Sequence, residues 1–165
     1  MNYILIGKIV NTHGIKGELR ILSDFEMKEK VFKNNFNIYI GPNYIKETIN
    51  TYRVHKNFDM ITLNNYSNIN EVLKYKGLNV YINKDDLNLK DNEYLYSDLI
   101  DFTIKDNNEY LGKVKSYILN GNNVLLYIDY DKDYYIPLVD EYIISVDLNN
   151  KIINCQNIRG LILWK

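Results

Sequence analysis

Leu111-Gly112-Lys113-Val114-Lys115-Ser116-Tyr117-Ile118-Leu119-Asn120-Gly121-Asn122-Asn123-Val124-Leu125-Leu126-Tyr127-Ile128-Asp129-Tyr130 is the stretch from which the fold class follows. Its two arms, Leu111 to Leu119 and Val124 to Tyr130, are rich in β-branched and aromatic residues, which suit a pleated, half-buried surface. Between them lies Asn120-Gly121-Asn122-Asn123, and an Asn-Gly step between apolar runs is among the strongest short-range signals for a β-hairpin. Downstream, Tyr134 to Leu138, Tyr142 to Val146 and Lys151 to Asn154 read as three more short strands. Pro137 has no N–H to give a ladder, so its strand belongs at an edge or a strand end. Five or six short strands in about 75 residues predict a small barrel.

Upstream the pattern is similar. Tyr3 to Val10 and Leu19 to Leu22 are β-rich, and Thr12-His13-Gly14-Ile15-Lys16-Gly17 between them places two glycines where a chain reverses. Phe36 to Ile40, Tyr44 to Val54 and Met60 to Leu63 follow, broken by Gly41-Pro42-Asn43 and Asn64-Asn65, and read as antiparallel hairpins. One segment departs from this. Asn68 with Glu71 three positions on predicts a capping box, and Ile69, Val72 and Leu73 share a helical face, so a short helix is expected, ended by Gly77. After a strand at Leu78 to Ile82, the polar run Lys84 to Asn92 has no sustained period and reads as a linker. The fold expected is all-β: two small β-barrels, 1–83 and 93–165, joined by a short linker at 84–92, with one or two short helices.

Composition narrows the function. The chain has 165 residues, with 2 prolines, 2 histidines and 1 cysteine. Cys155 alone excludes an internal disulfide, and His13 and His55 are too far apart in sequence for zinc-ligand spacing, so neither metal nor cofactor is expected. No apolar run reaches membrane-spanning length, and the start Met-Asn-Tyr-Ile-Leu-Ile lacks a basic n-region, so a cytoplasmic protein is expected. The net charge of −1 conceals a division. Through Asn83 there are 11 Lys and Arg against 7 Asp and Glu, 11 − 7 = +4; from Lys84 on there are 9 against 14, 9 − 14 = −5. Opposite charge suits two kinds of partner.

No catalytic constellation emerges. His13 with Glu18 could form an acid/base pair, but a His beside glycines in a polar loop more often makes contacts. Gly14 and Gly17 lack phosphate-loop spacing and no long helix follows. Cys155, between Asn154 and Gln156, reads as a structural thiol, and Asp140-Glu141 as a solvated turn with too few oxygens for calcium. Lys8, His13, Lys16 and Arg20 gather cations around the first loop, where phosphates could pair with them. Tyr94 and Tyr96, beside the linker, are candidate exposed anchors.

Gly7-Lys8-Ile9-Val10-Asn11-Thr12-His13-Gly14-Ile15-Lys16-Gly17-Glu18-Leu19 resembles the N-terminal signature of the RimM ribosome maturation factors. Glu93-Tyr94-Leu95-Tyr96-Ser97-Asp98-Leu99-Ile100 resembles the start of that family's PRC barrel. Leu111 to Val114 with Asn123 to Leu125, Ile136 to Tyr142, Val146-Asp147-Leu148 and Gly160-Leu161 resemble its remainder. The resemblance implies an N-terminal barrel of the translation-factor kind, a C-terminal PRC barrel, association with the immature small ribosomal subunit and its rRNA, and contact with a ribosomal protein of the subunit head. It carries a partner-binding role to Tyr94, Tyr96, Asp98 and Leu99. Two positions depart from the family pattern: Leu95 interrupts the aromatic pair, and Asp101 stands where the family has Gly. The function implied is non-catalytic assistance to late subunit assembly and rRNA processing, without membrane or small-molecule substrate. The alternatives are a barrel acting directly on precursor rRNA and a PRC-barrel adaptor unconnected with ribosomes.

Overall fold

The computed structural model describes residues 1–163; residues 164 and 165, which end the expected second domain, lie outside the described residues. The chain divides into two compact units, Met1–Leu89 and Lys90–Lys165. Both are built mainly of strands, so the protein is all-β.

In the first unit, β1 (Tyr3–His13), β2 (Glu18–Leu22), β3 (Asn37–Ile40), β4 (Ile45–His55), β5 (Phe58–Leu63) and β6 (Asn79–Asn83) close into a barrel in the order β1-β2-β5-β4-β3-β6. Alternation places Leu19 and Ile21, Ile38 and Ile40, and Val80 and Ile82 inside, each 0% exposed. β1 pairs with both β2 and β6, and its register shifts between Ile9 and Asn11 on one side and between Leu5 and Gly7 on the other. Such bulges bend a strand, which lets one strand serve two neighbours around a tight barrel.

The short helix falls where the capping pattern placed it. In α2 (Ile69–Val72) the Asn68 side chain accepts the Glu71 N–H at 3.3 Å, and the Glu71 carboxylate accepts the Asn68 N–H at 3.2 Å. Gly77 follows with φ +85. A further turn of helix, α1 (Lys28–Val31), has no side-chain cap and buries Val31, so tertiary packing rather than a local signal makes it. The run expected as a linker opens as a 3-10 turn, Lys84–Leu87, with Leu87 only 3% exposed.

The second unit holds β7 (Thr103–Asp106), β8 (Glu109–Asn120), β9 (Asn123–Asp129), β10 (Tyr134–Pro137), β11 (Ile143–Asp147) and β12 (Ile152–Cys155), in the order β10-β9-β8-β7-β12-β11, followed by α3 (Arg159–Leu163). β12 and β7 run parallel and the other pairs antiparallel. In the β8–β9 hairpin Asn120 pairs with Asn123, so the two loop residues are Gly121 and Asn122. Gly121, with φ +62, takes the first central position, where a type II′ turn needs glycine. Leu99, Ile104, Leu126, Ile128, Tyr134, Ile136 and Ile153 form the core, all 0% exposed. Tyr134 spends its hydroxyl on the Leu111 carbonyl at 2.6 Å, which allows a polar tip in that core.

Candidate partner-binding surfaces

The first surface is built on the β1–β2 hairpin. His13 pairs with Glu18 in the ladder, leaving Gly14-Ile15-Lys16-Gly17 as the turn. The turn is pinned to α2: the Ile69 N–H donates to the Ile15 carbonyl at 2.9 Å. Gly17 has φ +90, and a Cβ there would stand 3.0 Å from the Asn68 carbonyl oxygen, so its glycine is required on two counts. Ile15, 80% exposed, projects from the tip.

Behind the tip lies a cationic cluster. Arg20 Nη2 donates to His13 Nδ1 at 2.8 Å. Because a guanidinium has only donors, Nδ1 accepts, which places the neutral ring's proton on Nε2. The Arg20 guanidinium also lies over the Phe58 ring, 5.1 Å from its centroid. Its Nε is buried without a hydrogen-bond partner among the described residues. The His55 ring stands 5.5 Å from that of His13. Desolvation first, then Arg53, Lys56, His13 and Arg20, hold the His55 imidazolium below the usual histidine range. Arg53 grips Glu18 through Nε at 2.8 Å and Nη2 at 2.7 Å, and this bidentate bond holds the Glu18 carboxyl below its ordinary value. Beside the turn is a hollow of about 350 Å³ lined by His13, Gly14, Ile15, Lys16, Glu18 and Thr62.

Of the four basic residues expected here, His13 and Arg20 touch, and Lys16 borders the hollow with His13. Lys8 is exposed on β1 five residues before His13, about 16 Å away at the usual strand rise. Glu18 bonds Arg53 rather than His13, so the two do not form the acid/base pair that the sequence reading set aside. Arg53, His55, Lys56 and Phe58 are additions from the β4–β5 hairpin. They arrive because β5 pairs with β2, Arg20 opposite Met60. The only sequence signal was Arg53-x-His55, two basic residues at strand period on one face.

The second surface lies at the start of the C-terminal unit. Tyr94 is half-buried against the core, and Tyr96 meets Tyr117 of β8 edge-on, with centroids 5.8 Å apart. Asp98 Oδ2 accepts the Leu95 N–H at 2.9 Å, closing the 3-10 turn Tyr96–Leu99. Leu99 is 0% exposed. This corrects its expected partner-binding role: the turn aims Leu95 and Leu99 inward, leaving Tyr94, Tyr96 and Asp98 as the partly exposed members. Asp101 has φ +74, the left-handed conformation that explains glycine at this position in the family pattern. Cys155 is 1% exposed, and burial, with a smaller contribution from Asp106, pushes its thiol up to about 12.

Among the described residues no three His, Cys, Asp or Glu side chains gather as a metal site, and no helix is long and apolar enough to cross a membrane. Fold and surfaces define an all-β protein of two barrel-type domains, one with a cationic hairpin face and one entered through a tyrosine-flanked turn. Residues 4–87 match the model of the RimM N-terminal domain and residues 96–161 that of the RimM PRC barrel domain. The chain is 35% identical over 168 residues to the ribosome maturation factor RimM of Shouchella clausii, covering 97% of each chain. It is 36% identical over 162 residues to that of Staphylococcus haemolyticus, covering 95% of this chain and 97% of the relative. With that of Exiguobacterium sibiricum it shares 34% identity over 167 residues, 98% of this chain and 99% of the relative. The chain belongs to the RimM family.

Proposed function

We propose that this protein is a non-catalytic ribosome maturation factor. It binds the immature small (30S) subunit in the cytoplasm and promotes late assembly and small-subunit rRNA processing. The reading is supported above all by 35% and 36% identity, over nearly the whole chain, to relatives named for ribosome maturation. The factor acts by binding one assembly intermediate more tightly than its alternatives, shifting populations without making or breaking a covalent bond. The N-terminal barrel presents His13, Lys16, Arg20, Arg53 and Lys56 to rRNA phosphates, where each neutralised phosphate releases counterions. The C-terminal unit meets a basic ribosomal protein of the subunit head, with Tyr94, Tyr96 and Asp98 at the contact; an aromatic with an apolar face and a polar tip suits an interface anchor.

Co-sedimentation with small-subunit precursors tests this. Tyr94→Ala with Tyr96→Ala removes anchors that each contribute roughly 2 kcal/mol or more. The folded double variant is expected to leave the particle fraction. A cooperatively folded variant that still co-sediments like wild type refutes the anchor assignment, and loss of folding marks both tyrosines as packing residues. The second reading, a barrel acting directly on precursor rRNA, draws on the buried, unpartnered Arg20 Nε beside two histidines. Cleavage of precursor rRNA by the purified protein, abolished by His13→Ala, would establish it.

A further inference from the structure

The two edges of the C-terminal sheet are finished differently. β10 ends in Pro137, which has no N–H to donate, and α3 packs against that strand. β11 has neither protection: Ile143–Asp147 holds no Pro and no Lys, and among the described residues it pairs with β12 alone. Along it runs a groove of about 860 Å³ lined by every residue of the strand. Successive side chains of a strand point to opposite faces, so a groove bordered by all five follows the strand's main-chain edge, in which the Ile143 N–H already donates to the Val139 carbonyl at 3.0 Å.

Asp91, Asn92, Tyr94 and Asp140 also line the groove. Asp91, Asp140 and Asp147 supply its charge, and no Lys or Arg lines it. Asp147 is fixed as a carboxylate by the Asn150 backbone and side-chain N–H groups at 3.0 and 2.8 Å. Ile144, at the register shift of β11, is 61% exposed and offers an apolar contact. A nucleic acid is excluded by like charge. A second copy of β11 would bring the same carboxylates into the groove, where like charges oppose each other.

We propose that the C-terminal unit captures an extended, Lys- or Arg-rich peptide segment of a partner protein by strand addition along Ile143–Asp147, the peptide's cations facing Asp91, Asp140 and Asp147. Main-chain hydrogen bonds supply affinity and the acidic walls select a basic sequence. This rests on the reading of the C-terminal unit as the half that meets a basic protein, and adds the mode of capture.

The probe is a fluorescent, end-blocked peptide of alternating Lys and Val, eight residues long, titrated against the full-length protein. Two analogues carry N-methyl groups on every Lys or on every Val. In a strand those two sets of N–H groups face opposite edges, so one analogue is expected to bind at least tenfold more weakly and the other within about threefold of the parent. Replacing Lys by Glu in the peptide is expected to abolish binding. Asp91→Asn with Asp140→Asn, both exposed, weakens it about tenfold and flattens its salt dependence, and Ile144→Lys has a similar effect by charge. Absence of parent binding, or equal binding of both methylated analogues, overturns strand addition. Co-sedimentation of wild type with small-subunit precursors is scored separately: its loss fails the ribosomal reading, whereas its persistence without peptide binding fails only the strand addition.

Discussion

Gly17→Ala and Gly14→Ala probe the same turn with different physics. Both glycines have positive φ, +90 and +73, so alanine at either suffers the left-handed penalty of about 1 kcal/mol. At Gly14 nothing lies within 4 Å of the added Cβ, and the cost stops there. At Gly17 the Cβ meets the Asn68 carbonyl at 3.0 Å and its carbon at 3.2 Å, backbone atoms held by the capping box of α2. Forcing that contact apart adds about 2 kcal/mol, the ordinary cost of overpacking. Both alanines also stiffen the unfolded chain by a similar amount, so the difference between them stays near 2 kcal/mol. For a domain of this size each kcal/mol moves Tm by about 4–8 °C. Calorimetry of the full-length protein should therefore show the N-terminal transition of Gly17→Ala roughly 8–16 °C below that of Gly14→Ala. Hydrogen exchange should find the Ile69 amide, which donates to Ile15, faster in Gly17→Ala only. Equal shifts for the two variants would refute the assignment of Gly17 as the point where hairpin and helix touch.

Other expectations concern single groups. His55 titrates below the usual histidine range in the folded protein, so the unfolded chain takes up its proton first on acidification. Its contribution to stability is full above about pH 6.5 and is lost as pH falls through the folded value; the acid-side decline in Tm should shrink in His55→Gln, and an unchanged decline refutes this. A bound phosphate reverses the balance by favouring imidazolium, so short RNA should bind more tightly as pH falls toward that value, with a flatter profile in His55→Ala. Asp101→Gly should be neutral or stabilising while Asp101→Val costs about 1–2 kcal/mol in urea unfolding, because φ is +74 there. With its thiol pushed to about 12 by burial, Cys155 should resist aromatic disulfide reagents at pH 8 until the protein unfolds; reaction at the rate of a small free thiol contradicts the buried assignment.

The all-β class and its one capped helix were legible because they rest on local chemistry: alternating β-branched residues, the Asn120-Gly121 step, and a capping box whose two partners lie three residues apart. Pairing between distant segments was not. Thr103–Asp106 is a four-residue strand with no strong pattern, and it exists because parallel β12 and antiparallel β8 flank it. The helix Lys28–Val31 has no cap to announce it. For the site, the cations of the β1–β2 hairpin were visible because one loop carries them. Arg53, His55 and Phe58 join only through the β2–β5 register, information spread over some forty residues. Leu99 was misplaced because its motif gives proximity to a contact but not the direction of a side chain, which the 3-10 turn decides.

The double pairing of β1 also sets an order of events during synthesis. Tyr3 is made some eighty residues before its ladder partner, Asn83. At about 5–20 residues per second, the strand waits roughly 4–16 s for β6 to be translated. Through that interval one flank of β1 is an open edge carrying Ile4, Ile6 and Ile9, the kind of surface that chaperones cover. The barrel therefore closes as a late, long-range event, after β2 to β5 have had time to pair. Released chains ending before Asn79 should be cleaved within β1 by added protease, and released chains extending past Leu89 should be protected there. Protection of the shorter chains would show that β1 docks without its second neighbour.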